Sequence, residues 1–276
     1  MNSLRIVRLI AGNTFLEAVR QKLFLFLVLI AGAFIVSSFY FRDLDFGFSE
    51  LKFISDFGFG AIVFFGSILS IAGAAQLFFN EIENRTALTI LAKPVRRIEF
   101  ILGKFAGVWA VVLAFTAMMT LLLMLILWYR EGVLMGMERF ARDFPEGRKV
   151  LYGDILWVGF LQWLKFGILI SITMIVAGFA RTNLFTVVIS FFILIICHLQ
   201  YLARDAWAEI AFWPARMGVA AMGFAFPNFQ VFNVGEYVAL YEPLPWSVIA
   251  SLVGLSAIYI IVYNILAVVS FRSREI

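Results

Sequence analysis

One cysteine, Cys197, and one histidine, His198, are all the chain offers for disulfide or Cys/His metal chemistry. They permit no disulfide framework, and as neighbours on a helix they point about 100° apart, so they cannot both face one ion. Charge is scarce as well: Asp, Glu, Lys and Arg make up 14% of the residues, against about 25% in soluble domains. The motifs of common chemistries are missing. No G-x-x-x-x-G-K-[ST] phosphate loop occurs, and Gly103-Lys104 is followed by Phe105. Neither G-x-S-x-G nor H-E-x-x-H is found. The expectation is a chain that is not an enzyme, binds no ATP through a phosphate loop, and carries no metal or cofactor of its own. Long-period repeats and low-complexity linkers are not evident, so residues 1–276 read as a single domain.

What is present is apolar. Hydrophobic residues make up 63% of the chain, and the mean hydropathy is +0.97. A soluble fold would need far more polar surface, so the bilayer is the expected solvent. Six runs are long enough to cross it: Leu23–Phe41, Phe57–Phe79, Phe105–Tyr129, Leu161–Ala180, Leu184–Leu202 and Trp246–Phe271. In hydrocarbon every backbone amide must be satisfied within its own segment, and these runs do not alternate as barrel strands do. The fold class expected is an all-α polytopic membrane protein with six transmembrane helices.

Orientation follows from Lys and Arg near span ends. Arg20/Lys22 abut span one and Arg96/Arg97/Lys104 abut span three. Both clusters lie inside if the N-terminus is cytoplasmic, and an even number of spans then places the C-terminus there too. The pI near 9.3 and the net charge of +4 reflect this asymmetry, and no nucleic-acid partner is expected. Residues 1–22 read as an N-terminal interfacial amphipathic helix, with Arg5, Arg8 and Arg20 among apolar residues. The apolar run that follows is too long for a signal-peptide core, and no A-x-A site follows it. Residues 203–245 form an outer segment. Within it Ala211–Phe226 carries Pro214 and Arg216, and reads as a re-entrant or interfacial helix rather than a seventh span.

The connection between spans two and three, residues 80–104, lies on the expected cytoplasmic face. Asn84 suits a helix cap and Pro94 a helix stop. Leu88 and Leu91, three residues apart, then share one face of a short helix with a charged surround. Such a helix fits a groove on a soluble partner. An ordinary basic loop that serves only orientation would look similar.

The order of residues here resembles the permease subunits of ABC-2 type transporters. The resemblance rests on acidic Glu81 and Glu83, Thr86, the Leu88/Leu91 pair, Pro94-Val95-Arg96-Arg97, and Gly103-Lys104 before the next span. The six spans, the N-terminal helix, the outer segment and the Phe271-Arg272-Ser273-Arg274 ending are similar too. Arg85-Thr86 departs from the usual Gly-Thr. Phe226-Pro227-Asn228-Phe229 is similar to a subgroup associated with maturation of multicopper enzymes, through a short motif of low specificity.

The resemblance implies a cytoplasmic coupling helix docked on a separate ATPase, which would hold ATP and Mg. It implies as well a second permease chain in a homodimer or heterodimer, and a cell (inner) membrane setting. Carried over residue by residue, the coupling set is Glu81, Glu83, Arg85, Thr86, Leu88, Leu91 and Pro94. Arg96, Arg97 and Lys104 are expected to anchor the loop to lipid phosphates. An exporter is the implied activity. A membrane anchor or scaffold for an enzyme complex, and an ATP-independent channel or carrier, are the rival readings.

Lys165 is the one clear charge inside a span, and at mid-bilayer it would cost about 2.5–3.5 kcal/mol. With span four starting at Leu161 it lies one turn in. It then either snorkels to the outer surface or lines the transport path. Gly66, Ser70 and Ala74 on span two, and Gly167 and Ser171 on span four, recur every four residues and allow close helix contact.

Overall fold

Every one of the six apolar runs becomes a helix, and three of the helices begin well before the runs that announce them. The computed structural model describes residues 3–41, 50–83, 96–137, 149–206 and 225–272, with the isolated positions 213, 214, 217 and 223. Its α-helices are α1 (Ser3–Val19), α2 (Lys22–Phe41), α3 (Glu50–Glu83), α4 (Arg97–Met135), α5 (Tyr152–Phe179), α6 (Asn183–Ala206), α7 (Gly235–Ala239) and α8 (Trp246–Arg272). A 3-10 turn, Phe229–Phe232, precedes α7. No strand occurs among the described residues. The six helices α2, α3, α4, α5, α6 and α8 are long and apolar enough to cross a membrane, and the protein is an all-α, multi-pass membrane protein. Most of Ala211–Phe226 lies outside the described residues.

Helix α3 starts seven residues before the expected Phe57, α4 eight before Phe105 and α5 nine before Leu161. Each extension mixes charged residues with apolar ones, so hydropathy alone places the boundary too late. The correction moves Lys165 from one turn inside span four to the middle of a 28-residue helix, about 20 Å from its first residue at 1.5 Å per residue.

Helices α3, α4 and α5 pack against one another at the centre. Helix α2 flanks α3 and α4, and α8 lies against α5. Helix α6 touches α5 and α3 but leaves most of its apolar surface exposed. Small residues set these approaches. A side chain at Gly66 would collide with the Phe166 ring, and one at Gly167 with the Trp109 indole. Ser171 accepts a hydrogen bond from Asn264 Nδ2 at 2.9 Å, and Ser270 Oγ donates to the Ile175 carbonyl at 3.2 Å, joining α5 to α8. Without water between helices, close backbones and polar contacts of this kind supply the association. The four-residue spacings of the sequence are thus used inside one chain.

Trp109 on α4 and Trp163 on α5 form a reciprocal clamp. Each indole Nε1 donates to the other residue's carbonyl, at 3.2 and 3.0 Å, and the rings stack 4.2 Å apart within 11° of parallel. Both indole donors are thereby satisfied away from water.

The N-terminal helix α1 packs across the first turns of α4. Gly103 and Gly107 lie beneath it: a Cβ at Gly107 would come within 2.5 Å of Thr14 Cβ and 2.8 Å of the Ala11 carbonyl oxygen. A backbone oxygen cannot swing aside. Gly107→Leu should therefore push α1 off α4, at about 1–3 kcal/mol or more. The chain's unfolding midpoint in detergent should fall by about 5 °C. Gly12→Ala, where a Cβ meets nothing within 4 Å, should leave the midpoint unchanged or raised.

Candidate functional site

The residues singled out in the sequence fall in two regions of the bundle. The first is the connection from α3 to α4. Glu81 and Glu83 belong to the last turn of α3. Arg85, Thr86, Leu88, Leu91 and Pro94 fall outside the described residues. The chain re-emerges at Arg96, whose backbone N–H donates to Glu99 Oε2 at 3.0 Å and so starts α4 with one of its orphan amides satisfied. Arg96 and Arg97 are exposed, whereas Lys104 is only 2% exposed. Of the three cations expected at lipid phosphates, Lys104 is enclosed by protein; it sits two turns into α4, under cover of the bundle. The other two present their side chains at the surface.

Beneath this connection three phenylalanines meet. Phe271, near the end of α8, stands edge-on to Phe78 of α3 with centroids 5.5 Å apart, and stacks on Phe100 of α4 at 6.0 Å. Phe100 and Phe271 are fully buried and Phe78 nearly so. The two helices that carry the loop are thus wedged against the last span at the level where the loop leaves them.

The second region is a cavity of about 810 Å³ among α3, α5, α6 and the 229–236 segment, a volume within the roughly 300–1,000 Å³ usual for small-molecule sites. Lys165 lies on its wall, 3% exposed. At mid-helix it is too deep and too enclosed for the snorkelling alternative. Its Nζ stands 5.8 Å from the Phe166 ring centroid, and no carboxylate pairs with it among the described residues. One turn away on the same face, Gln162 Nε2 donates to the Phe232 carbonyl at 2.8 Å. Because a carbonyl only accepts, the amide orientation is settled, and the atom left without a partner is the acceptor Oε1. His198 Nδ1 lies 3.0 Å from the Leu194 carbonyl. The same logic puts its proton on Nδ1 and leaves Nε2 unpaired by that bond. Its ring meets Phe229 edge-on at 5.6 Å.

The 229–239 segment closes one end of this cavity. Asn228 Oδ1 caps the 3-10 turn by accepting from Gln230 N at 2.9 Å. Phe229 and Phe232 are fully buried, and Gly235 abuts the Phe59 ring, where a Cβ would come within 2.8 Å. The bond from Gln162, about 15 Å along α5 from Tyr152, shows that the segment dips between the spans. Lys52, Asp56 and Glu236 line the cavity near that end.

Spacing had signalled only Lys165 here. Gln162 carried no signal in the sequence, and His198 was considered only with Cys197, with which it cannot share an ion. Cys197 is buried away from the cavity lining. Among the described residues no group of three His, Cys, Asp or Glu side chains is placed to hold a metal ion.

Against this geometry, the model of the family described as ABC-2 family transporter protein matches residues 15–197. No curated protein matches the chain. The matched stretch runs from α1 into α6, and so covers the loop region and most of the cavity wall.

Proposed function

The chain belongs to the ABC-2 family of transporter proteins as a membrane-spanning permease component, and from that premise we propose that it is an exporter subunit driven by a separate ATPase. In this reading residues 80–104 are cytoplasmic and form the coupling element, with both chain ends on the same side of the cell membrane. Glu81, Glu83, Arg85, Thr86, Leu88, Leu91 and Pro94 meet the ATPase, and Arg96 and Arg97 hold the loop at the lipid surface. A second permease chain completes the translocation unit, since symmetric pairs are the rule for such assemblies.

The observation that carries the reading is the aromatic wedge. A loop with no mechanical link to the spans would serve orientation only. Here the flanking helices α3 and α4 are both packed onto Phe271 of α8. Closure of an ATPase on the loop would shift α3 and α4 against α8, and so bias the bundle between two arrangements. The cargo must bind those arrangements unequally, and the coupling is reciprocal.

The test is co-purification. The chain, tagged and extracted from its host membrane in mild detergent, should bring down an ATPase with a Walker A motif in a stable complex. Reconstitution of both should give ATP hydrolysis that changes when the permease is present. A chain that purifies without an ATPase, or with one whose turnover ignores it, is a scaffold or an ATP-independent carrier instead.

A further inference from the structure

We propose that the cavity among α3, α5, α6 and the 229–236 segment binds an anionic amphiphile, its acidic head on Lys165 and its hydrocarbon against Phe59, Phe64 and Ile195. This deepens the permease reading, on which it rests, by naming a class of cargo.

Three features of the cavity converge on that class. The first is charge. Lys165 places an amine, enclosed at mid-helix with no carboxylate partner among the described residues, beside an open space. A charge held in hydrocarbon without a counter-ion is costly, and an anion delivered by a ligand offsets that cost. Asp56 and Glu236 line the same cavity with Lys52, but Asp56 lies about 9 Å along α3 from Glu50, whereas Lys165 lies about 20 Å along α5 from Tyr152. Asp56 therefore stands toward the start of α3, about 10 Å short of the Lys165 level, and neither Asp56 nor Glu236 is within ion-pair distance of Lys165.

The second is the unmet acceptor. Gln162 Oε1 is buried without a partner, and Gln162 and Lys165 are three residues apart on one helix face. Together they ask for an anionic group with a hydroxyl or N–H beside it.

The third is access. Phe64 and Ile195 line the cavity, yet are 61% and 51% exposed. Phe64 is 14 residues beyond Glu50, about 21 Å along α3, and Ile195 is 11 residues from the end of α6, about 16 Å. Exposure at that depth is exposure to the bilayer interior. The cavity thus opens sideways between α3 and α6, a route suited to a molecule already dissolved in the membrane. At that depth Phe64, Ile68, Phe191 and Ile195 give the route an apolar wall.

The experiment measures binding to the full-length purified chain in detergent, with no ATPase or nucleotide present. Four probes share an eighteen-carbon chain and differ in the head: oleate, oleoyl lysophosphatidate, oleyl alcohol and oleylamine. One anionic probe or both should bind saturably, roughly ten- to hundredfold more tightly than oleyl alcohol, as expected for a charge-assisted contact. Whichever anion binds tighter separates a carboxylate cargo from a phosphate one. Lys165→Met should erase that preference, and Lys165→Arg should keep most of it. Gly60 also lines the cavity, and a Cβ there meets nothing within 4 Å, so Gly60→Phe should fill the space and block all four probes in a chain that still melts normally.

Equal affinity for all four probes overturns the proposal. So does an anion preference that survives Lys165→Met, or anion binding that survives Gly60→Phe. None of these outcomes touches co-purification with an ATPase, so the cargo assignment and the permease reading fall separately.

Discussion

Replacing Leu88 and Leu91 together by aspartate should abolish capture of the partner ATPase and any change the permease makes to its turnover. In the proposed coupling helix, two leucines three residues apart would form one apolar stripe, the pattern by which helices seat in grooves. Residues central to such contacts carry most of the binding energy, commonly 2 kcal/mol or more each. Aspartate does more than remove that contribution, because it would bury a carboxylate without a partner. A loss of affinity of about a thousandfold is expected for the pair. The readout is pull-down from co-expressing membranes, with ATPase activity measured on the same material. The chain's own melting in detergent should not move, since the change lies in the connection between α3 and α4 and outside the packed spans. Undiminished capture and turnover would remove the coupling role from this loop.

The second large effect is expected at the other end of α4. Glu131 is fully buried there. Its Oε1 accepts from the backbone N–H groups of Lys149 and Val150, at 2.7 and 3.0 Å, and its Oε2 accepts from the Tyr152 hydroxyl at 2.6 Å. One carboxylate thus ties the end of α4 to the start of α5, across the 138–148 connection. Next to it Arg130 pairs with Glu50 at the start of α3, with Nη2 and Oε2 2.9 Å apart.

Glu131→Ala should strand three donors, each worth roughly 1–3 kcal/mol when left unmet in a buried place. Water can reach some of them at a helix end, so a net loss on the order of 3 kcal/mol is expected. In a domain of this size that lowers the unfolding midpoint by about 10 °C. Glu131→Gln keeps an oxygen for the two backbone donors and should cost about a third as much. A thermal series in detergent decides it: equal midpoints for alanine and wild type would mean that Glu131 does not fasten the two helices.

The second prediction depends on a helix boundary that hydropathy alone misplaces, since Glu131 lies beyond the expected end of span three at Tyr129 yet within α4. The apolar runs foretold six membrane-capable helices, because about 30 Å of hydrocarbon demands about 20 apolar residues and tolerates no unsatisfied backbone. The starts of α3, α4 and α5 were not legible. Residues 50–56 carry Glu50, Lys52 and Asp56, and residues 152–160 carry Asp154, so the local average falls below that of a span. Tertiary packing holds them helical all the same. Glu50 pairs with Arg130, and Asp154 Oδ2 accepts from the Leu244 backbone N–H at 3.1 Å. These partners lie 80 and 90 residues away, beyond any window on the sequence.

The same distance in sequence hid the site. Lys165 stood out because a charge within an apolar run is conspicuous wherever it falls. Its meaning came from residues on three other elements that surround one volume. Lys104 shows the converse. Its position next to a basic cluster suggested the membrane surface, but the bundle covers it.

By itself the sequence determined that the chain is a membrane protein with six membrane-capable helices and no G-x-x-x-x-G-K-[ST] motif, and its motifs pointed to the ABC-2 family. Those conclusions need only local composition and spacing, which set how a segment partitions between water and lipid. Where the spans touch, which charge is enclosed and which is exposed, and where space remains between them were decided by the tertiary structure. Transfer into hydrocarbon is a property of each segment alone. A cavity exists only through the packing of several.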